Sequence, residues 1–239
     1  MRKILVPLGT STLAFIYGYH HSEWLWFLLA FAWTPLLIAA ERDYPKYLTI
    51  AAGLWVLAGA SLGAENSWGI LLAIAWILYI LGKDFWGPQR ANLAFIFLML
   101  SAEALPFYFD LKPWDLGLYM AIPQNSDASY LEWFPKVGAL ATSASLLLSN
   151  LFIARIWLHF EQKRKIAWSW AIPLLLILIS PWIGNALSGL ENPGPSENWP
   201  FLPMDQFMAR MSFFLAFFLL LFALVRKLLP EKNADDRFT

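Results

Sequence analysis

Residues 185–208 read NALSGLENPGPSENWPFLPMDQFM, and this stretch decides how the rest of the chain is divided. Pro193, Pro195, Pro200 and Pro203, together with Gly189 and Gly194, forbid a regular element through its middle. Its only charges are Glu191, Glu197 and Asp205. On either side lie apolar runs, at 166–187 and 210–228, long enough to cross a bilayer, which takes about 20 apolar residues. The stretch therefore reads as a loop between two membrane spans. It is too short to fold a catalytic domain of its own, since chains below about 40 residues rarely fold unaided.

Outward from that loop the chain stays apolar. Of its 239 residues 59% are hydrophobic and 14% charged, and the mean hydropathy is +0.53, a balance that points to an integral membrane protein. The sequence divides into about eight apolar segments, at 4–19, 23–40, 46–63, 67–82, 91–109, 136–158, 166–187 and 210–228. Two longer polar interruptions, 110–135 and 188–209, are expected as outer loops, and the whole of 1–239 as one transmembrane domain. The fold class is thus all-α and polytopic, with a retained first span, because no small-x-small cleavage pattern follows Met1-Arg2-Lys3 before His20-His21.

Orientation follows from the basic residues. With the N-terminus inside, every one of the 17 lysines and arginines except Lys112, Lys136 and Arg210 falls on the cytoplasmic side, so both termini are expected in the cytoplasm. The formal net charge is zero, which gives no footprint for nucleic acid. Cysteine is absent, removing disulfides, thiolate metal sites and every cysteine nucleophile.

Few residues carry chemistry. His20 and His21 fall at the outer end of the first span and His159 at the inner end of the sixth, a bilayer apart, so the three form no shared metal or haem site, and no cofactor is expected. Fourteen tryptophans, most of them near span ends, fit interfacial belts better than a cofactor cage. Glu103 is the sharpest single residue, because a carboxylate inside an apolar span is costly. Near the outer end of its span it either reaches the interface or meets a partner or headgroup. Arg210 enters the last span from the same face, as an interfacial anchor, a partner for Glu103 or a phosphate ligand.

A family resemblance rests on several stretches in order. Gly138, Ser143 and Asn150 in the sixth span stand at relative positions 0, 5 and 12, and Glu103 is followed by Pro113-Trp114, Leu116-Gly117 and Tyr119. Leu13-Ala14-Phe15, Trp24 and Pro35-Leu36-Leu37 lie in the first two spans, and Phe207-Met208-Ala209-Arg210 opens the last. Together these resemble the membrane domain of apolipoprotein N-acyltransferase. The resemblance implies an eight-helix frame and a lipid-facing groove. That family carries a nitrilase-like domain, with a Glu-Lys-Cys triad, of roughly 250 residues between spans seven and eight, where this chain has only residues 188–209. No catalytic residue of the family has a matching position. PWDLGLY is one residue tighter than the family spacing, and Pro106 stands where an arginine is usual.

The expected function is accordingly a catalytically silent relative, acting as a scaffold or lipid-binding subunit of a complex in the bacterial inner membrane. Its partners would be phospholipid and other membrane or periplasmic subunits, met through Glu103, Arg210, Trp114 and Trp199. One rival is the membrane half of a split lipoprotein N-acyltransferase whose nitrilase-like domain is a separate chain. A carrier or transporter subunit is a second, disfavoured by the scarcity of intramembrane charge and the lack of a visible inverted repeat.

Overall fold

A computed structural model describes residues 2–20, 26–42, 44–61, 68–108, 139–188 and 203–228. Among them the regular structure is all helical: α1 (Arg2–His20), a 3-10 turn (Trp26–Ala30), α2 (Thr34–Glu41), α3 (Lys46–Ser61), α4 (Trp68–Tyr108), α5 (Ala139–Lys163), α6 (Trp168–Ser188) and α7 (Pro203–Leu228). Ile70–Gly87, Leu140–Lys163 and Met204–Leu228 are long and apolar enough to cross a membrane, and four shorter apolar helices accompany them.

Two segments depart from the expected spans for identifiable reasons. The polar stretch after residue 82 reads as a loop, yet helix runs through it with a single break at Gly87, whose φ of 72° and ψ of 166° lie outside helical space. An L side chain rarely adopts that conformation, and a Cβ there would meet nothing within 4 Å, so glycine serves the backbone and not the packing. The break folds the helix back on itself. Tyr79 and Phe95 would stand about 24 Å apart along a straight helix, yet their ring centroids are 5.5 Å apart. The expected spans at 67–82 and 91–109 are thus the two arms of α4.

The second departure is in 23–40, expected as one helix. Instead the 3-10 turn is followed by the turn residues Phe31 to Trp33, and α2 starts only at Thr34. Pro35, in the first turn of α2, accounts for the restart: it has no N–H to offer an earlier carbonyl, and its ring suits a helix beginning. Trp33 stands at the N-cap without a side-chain acceptor of its own. The cap comes from α5: Asn150 Oδ1 accepts from Trp33 N at 2.7 Å and Thr34 N at 3.0 Å, while its Nδ2 donates to Leu29 O at 2.8 Å. One amide thereby ties both sides of the break to α5.

The core is aromatic. Trp33 is fully buried between Phe15 and Trp76, each with ring centroids 5.3 Å away, and Phe95 closes the cluster at 6.0 Å. Buried indoles need an acceptor: Trp76 Nε1 donates to Thr49 O at 3.1 Å and Trp86 Nε1 to Leu219 O at 2.7 Å. The interfacial-belt reading of the tryptophans is therefore corrected for Trp33, Trp76 and Trp86, which build the interior. Trp55, Trp157 and Trp168 are exposed. In α3, Gly53 permits close approach of Trp76, whose indole lies where a Cβ at position 53 would be.

The last helix also starts earlier than its apolar run suggests. It opens at Pro203, so Asp205 belongs to its first turn and not to a loop. Asp205 is buried, and its Oδ1 accepts from Leu140 N at 2.9 Å, capping the start of α5 from a different helix. At the other end α5 closes where Arg164 takes a left-handed φ of 54° and its N–H bonds Phe160 O at 2.8 Å.

Candidate functional site

The residues expected at an outer site are not brought together among the described residues. Glu103 is fully buried near the end of α4. Arg210 is exposed on α7, and no ion pair joins the two among the described residues. Trp114 and Trp199 lie outside the described residues, as do His21 and the side chain of His20.

Polar side chains gather instead where α2 ends, α3 begins, α4 turns back and α5 and α7 finish. Arg42 Nη2 meets Glu161 Oε1 at 2.6 Å, Lys46 Nζ meets Asp84 Oδ2 at 2.5 Å, and Lys83 Nζ donates to Ala40 O. Arg226 Nη1 donates to Phe85 O at 3.1 Å, and Arg90 lies 4.4 Å over the Phe222 ring. The outer member of this layer is cheap to break. Side chains of Arg42 and Glu161 are each 39% exposed, so Glu161→Gln is expected to lower stability by less than about 1 kcal/mol, and less still in high salt. Thermal unfolding in detergent at low and high salt checks this; a loss above about 2 kcal/mol that ignores salt would contradict a solvent-screened pair.

Deeper in the layer is a triad drawn from three helices. Arg155 of α5 donates from Nη2 to Glu41 Oε1 of α2 at 3.0 Å and from Nε to Asn92 Oδ1 of α4 at 3.1 Å; Nη2 also bonds the Asn92 oxygen. The Arg155 and Glu41 side chains are 17% and 27% exposed. Burial to that degree raises the cost of separating them, because water no longer screens the charges.

The triad forms one end of a cavity of about 670 Å³ bounded by the second arm of α4, by α5 and by Trp170 of α6. Its α5 wall is one helical face, on which Leu148, Leu151 with Phe152, Arg155, Leu158 with His159, and Gln162 succeed one another at intervals of about one turn. That face is wholly apolar at its start and gains polar residues toward its end. Asn92, followed by Leu93 and Ile96, repeats the gradient on α4. Phe152 and Trp170 stand 5.6 Å apart where α5 and α6 meet. His159, expected at the inner end of the sixth span, is half-buried and lines this cavity.

Sequence reading missed this site because Arg155 and Glu41 count there only as charges at span ends, and Asn92 not at all. The available signal was the placement of Arg155 one turn before His159 on an otherwise apolar helix face. The motif residues of α5 have a different part. Asn150 is the clip on α2, and Ser143 is fully buried with an Oγ that has no hydrogen-bond partner among the described residues. Ser145 and Ser149 bond back to carbonyls of their own helix, at 2.7 Å and 2.8 Å. No protein-family model, curated protein or solved structure matches the chain.

Proposed function

We propose that the chain is a lipid-binding scaffold subunit of a bacterial inner-membrane complex, a catalytically silent relative of the apolipoprotein N-acyltransferase membrane domain. The observation that carries this reading is an apolar-walled cavity with a polar end in a chain without a single cysteine. An acyl-transfer reaction of the family's type needs an activated thiolate, and this chain has none to offer. Eight spans with both termini in the cytoplasm complete the proposal. The gathering of Arg42, Lys46, Lys83, Arg155 and Arg226 in one polar layer supports that orientation, since basic residues are retained on the inner side. Arg210, about 24 Å along α7 from Arg226, then lies at the opposite face.

The expected result is that protein purified in mild detergent brings down membrane or periplasmic subunits in fixed ratio. Incubated alone with phospholipid and a diacylated lipoprotein peptide, it forms neither an acyl-enzyme nor a triacylated product. Mass spectrometry of both preparations checks this. A triacylated peptide in the second would overturn the silent-scaffold reading. Recovery of a nitrilase-like chain in the first, with activity restored by it, would replace that reading with the split enzyme.

A further inference from the structure

We propose that the polar layer contains a phosphate site, a cleft in which Arg42, Lys46 and Lys83 bind inorganic phosphate or the head of a small phosphate monoester taken from the aqueous phase. This goes beyond the scaffold reading and does not rest on it. The cleft, of about 200 Å³, lies where α2 ends, α3 begins and the first arm of α4 passes. Its floor is Ala40, Thr49 and Ile80, all buried. At its rim stand Lys46 and Asp84, whose side chains are 47% and 51% exposed. Charged groups exposed to that degree are in water and not in hydrocarbon, so the cleft opens to the aqueous side. Its volume falls below the roughly 300–1,000 Å³ of sites for drug-sized ligands. That suits a phosphate group, with any nucleoside or acyl chain left outside.

The charges name the ligand class. The lining carries three cations, Arg42, Lys46 and Lys83, against one carboxylate, Asp84. A phosphate monoester brings about −1.5 to −2 at neutral pH, which matches that excess. Asp84 meets Lys46 at 2.5 Å, and Glu161, outside the lining, meets Arg42 at 2.6 Å. Even with Glu161 counted, positive charge remains in excess. Both pairs are solvent-exposed and so weakly held that an incoming dianion can share their cations at little cost. Lys83 has no carboxylate partner among the described residues. Its Nζ donates to Ala40 O, which leaves two of its three ammonium N–H groups for a ligand. The same bond offsets the negative end of α2, while the first turn of α3, from Lys46 to Thr49, brings a partial positive charge to the wall. Cations arriving from three segments suit an anion with oxygens in three directions better than a planar carboxylate. Arginine can fork onto two phosphate oxygens, and lysine serves as a point charge.

The test is isothermal titration calorimetry of the full chain in a non-ionic detergent at low salt, with inorganic phosphate as the probe and chloride at matched ionic strength as the blank. Saturable binding of one phosphate per chain is expected, with a Kd of about 1 mM or below. Lys46→Gln is expected to weaken it about ten-fold, and Asp84→Asn to strengthen it several-fold by removing the one repelling carboxylate. Opposite shifts at the two members of one ion pair separate a ligand site from mere loss of the pair, which would move both variants alike. Lys165→Gln, exposed and outside the lining, is expected to change the Kd by less than about two-fold, because salt screens a distant charge. Phosphate that behaves as chloride does overturns the proposal, as do shifts of the same sign in the Lys46 and Asp84 variants, or an equal loss in the Lys46 and Lys165 variants. If Lys46→Gln fails to fold, the parent chain and Asp84→Asn still decide. Dioctanoyl phosphatidic acid bound by a chain that ignores inorganic phosphate would put the ligand in the bilayer and overturn the aqueous assignment.

Discussion

Asn150→Leu is expected to destabilise the protein by about 2–6 kcal/mol, as two buried backbone groups each lose a hydrogen bond worth about 1–3 kcal/mol. Trp33 N–H loses its 2.7 Å bond to Asn150 Oδ1, and Leu29 C=O loses the 2.8 Å bond from Asn150 Nδ2 and retains, among the described residues, a 3.4 Å bond from Ala32 N. Thr34 N–H suffers less, because Phe31 O still accepts from it at 3.0 Å. Leucine keeps the branching and heavy-atom count of asparagine but is bulkier, so overpacking of this buried site adds to the loss of the hydrogen bonds. The damage should also be local. Hydrogen exchange in 29–37 is expected to accelerate strongly, with α7 changing little, since no residue of α7 bonds Asn150. Asn150→Asp separates the two halves of the clip: it keeps the acceptor for the α2 cap and loses the donor to Leu29 O. A leucine variant within about 0.5 kcal/mol of the parent would mean that the break in α2 is held by something other than this amide.

The difference between Asn150 and its surroundings shows what hydropathy could and could not convey. The apolar runs at 46–63 and 166–187 correspond to α3 and α6 within a few residues, because the length and apolarity of a stretch are properties of the stretch itself. The restart at Thr34 is not, even though Pro35 marks it. Summed hydropathy over 23–40 is blind to a missing N–H, and the compensating amide sits 116 residues away. Gly87 and Pro88 were legible as a breaker pair, yet their sequence neighbours Lys83, Asp84, Gln89 and Arg90 suggest a loop where helix persists. The tryptophans were read by position along the span, a coordinate that separates interface from centre but not outside from inside; Trp33 and Trp76 are inside. The Arg155 triad needed three helices to meet before any of its members acquired a partner, and no local spacing announces that. Glu103 was legible as an oddity, but its depth was set by packing around α4.

Gly53→Ala is expected to be destabilising by about 1–3 kcal/mol, the usual cost of overpacking a full core, and its sign alone is diagnostic. In an open helix position the same change would stabilise by about 1 kcal/mol, because glycine is the poorer helix former. Here the added methyl would fall within 2.7 Å of Trp76 Cε2 and closer still to its Nε1 edge. Trp76 cannot swing aside cheaply: it is fully buried, packed with its ring centroid 5.3 Å from that of Trp33 and bonded through Nε1 to Thr49 O. Removing the ring should therefore reverse the effect. Trp76→Ala alone is expected to cost about 3–5 kcal/mol through the cavity it leaves, together with loss of that hydrogen bond. Added to this background, Gly53→Ala should become neutral or stabilising, since the methyl enters vacated space. A double-mutant cycle read by thermal or denaturant unfolding in detergent would then give a coupling of at least about 2 kcal/mol, toward the upper range seen for residues in contact. If Gly53→Ala instead raises stability in the parent protein, or if the two changes add without coupling, α3 and the first arm of α4 are farther apart at this point than the close approach of Trp76 to position 53 requires.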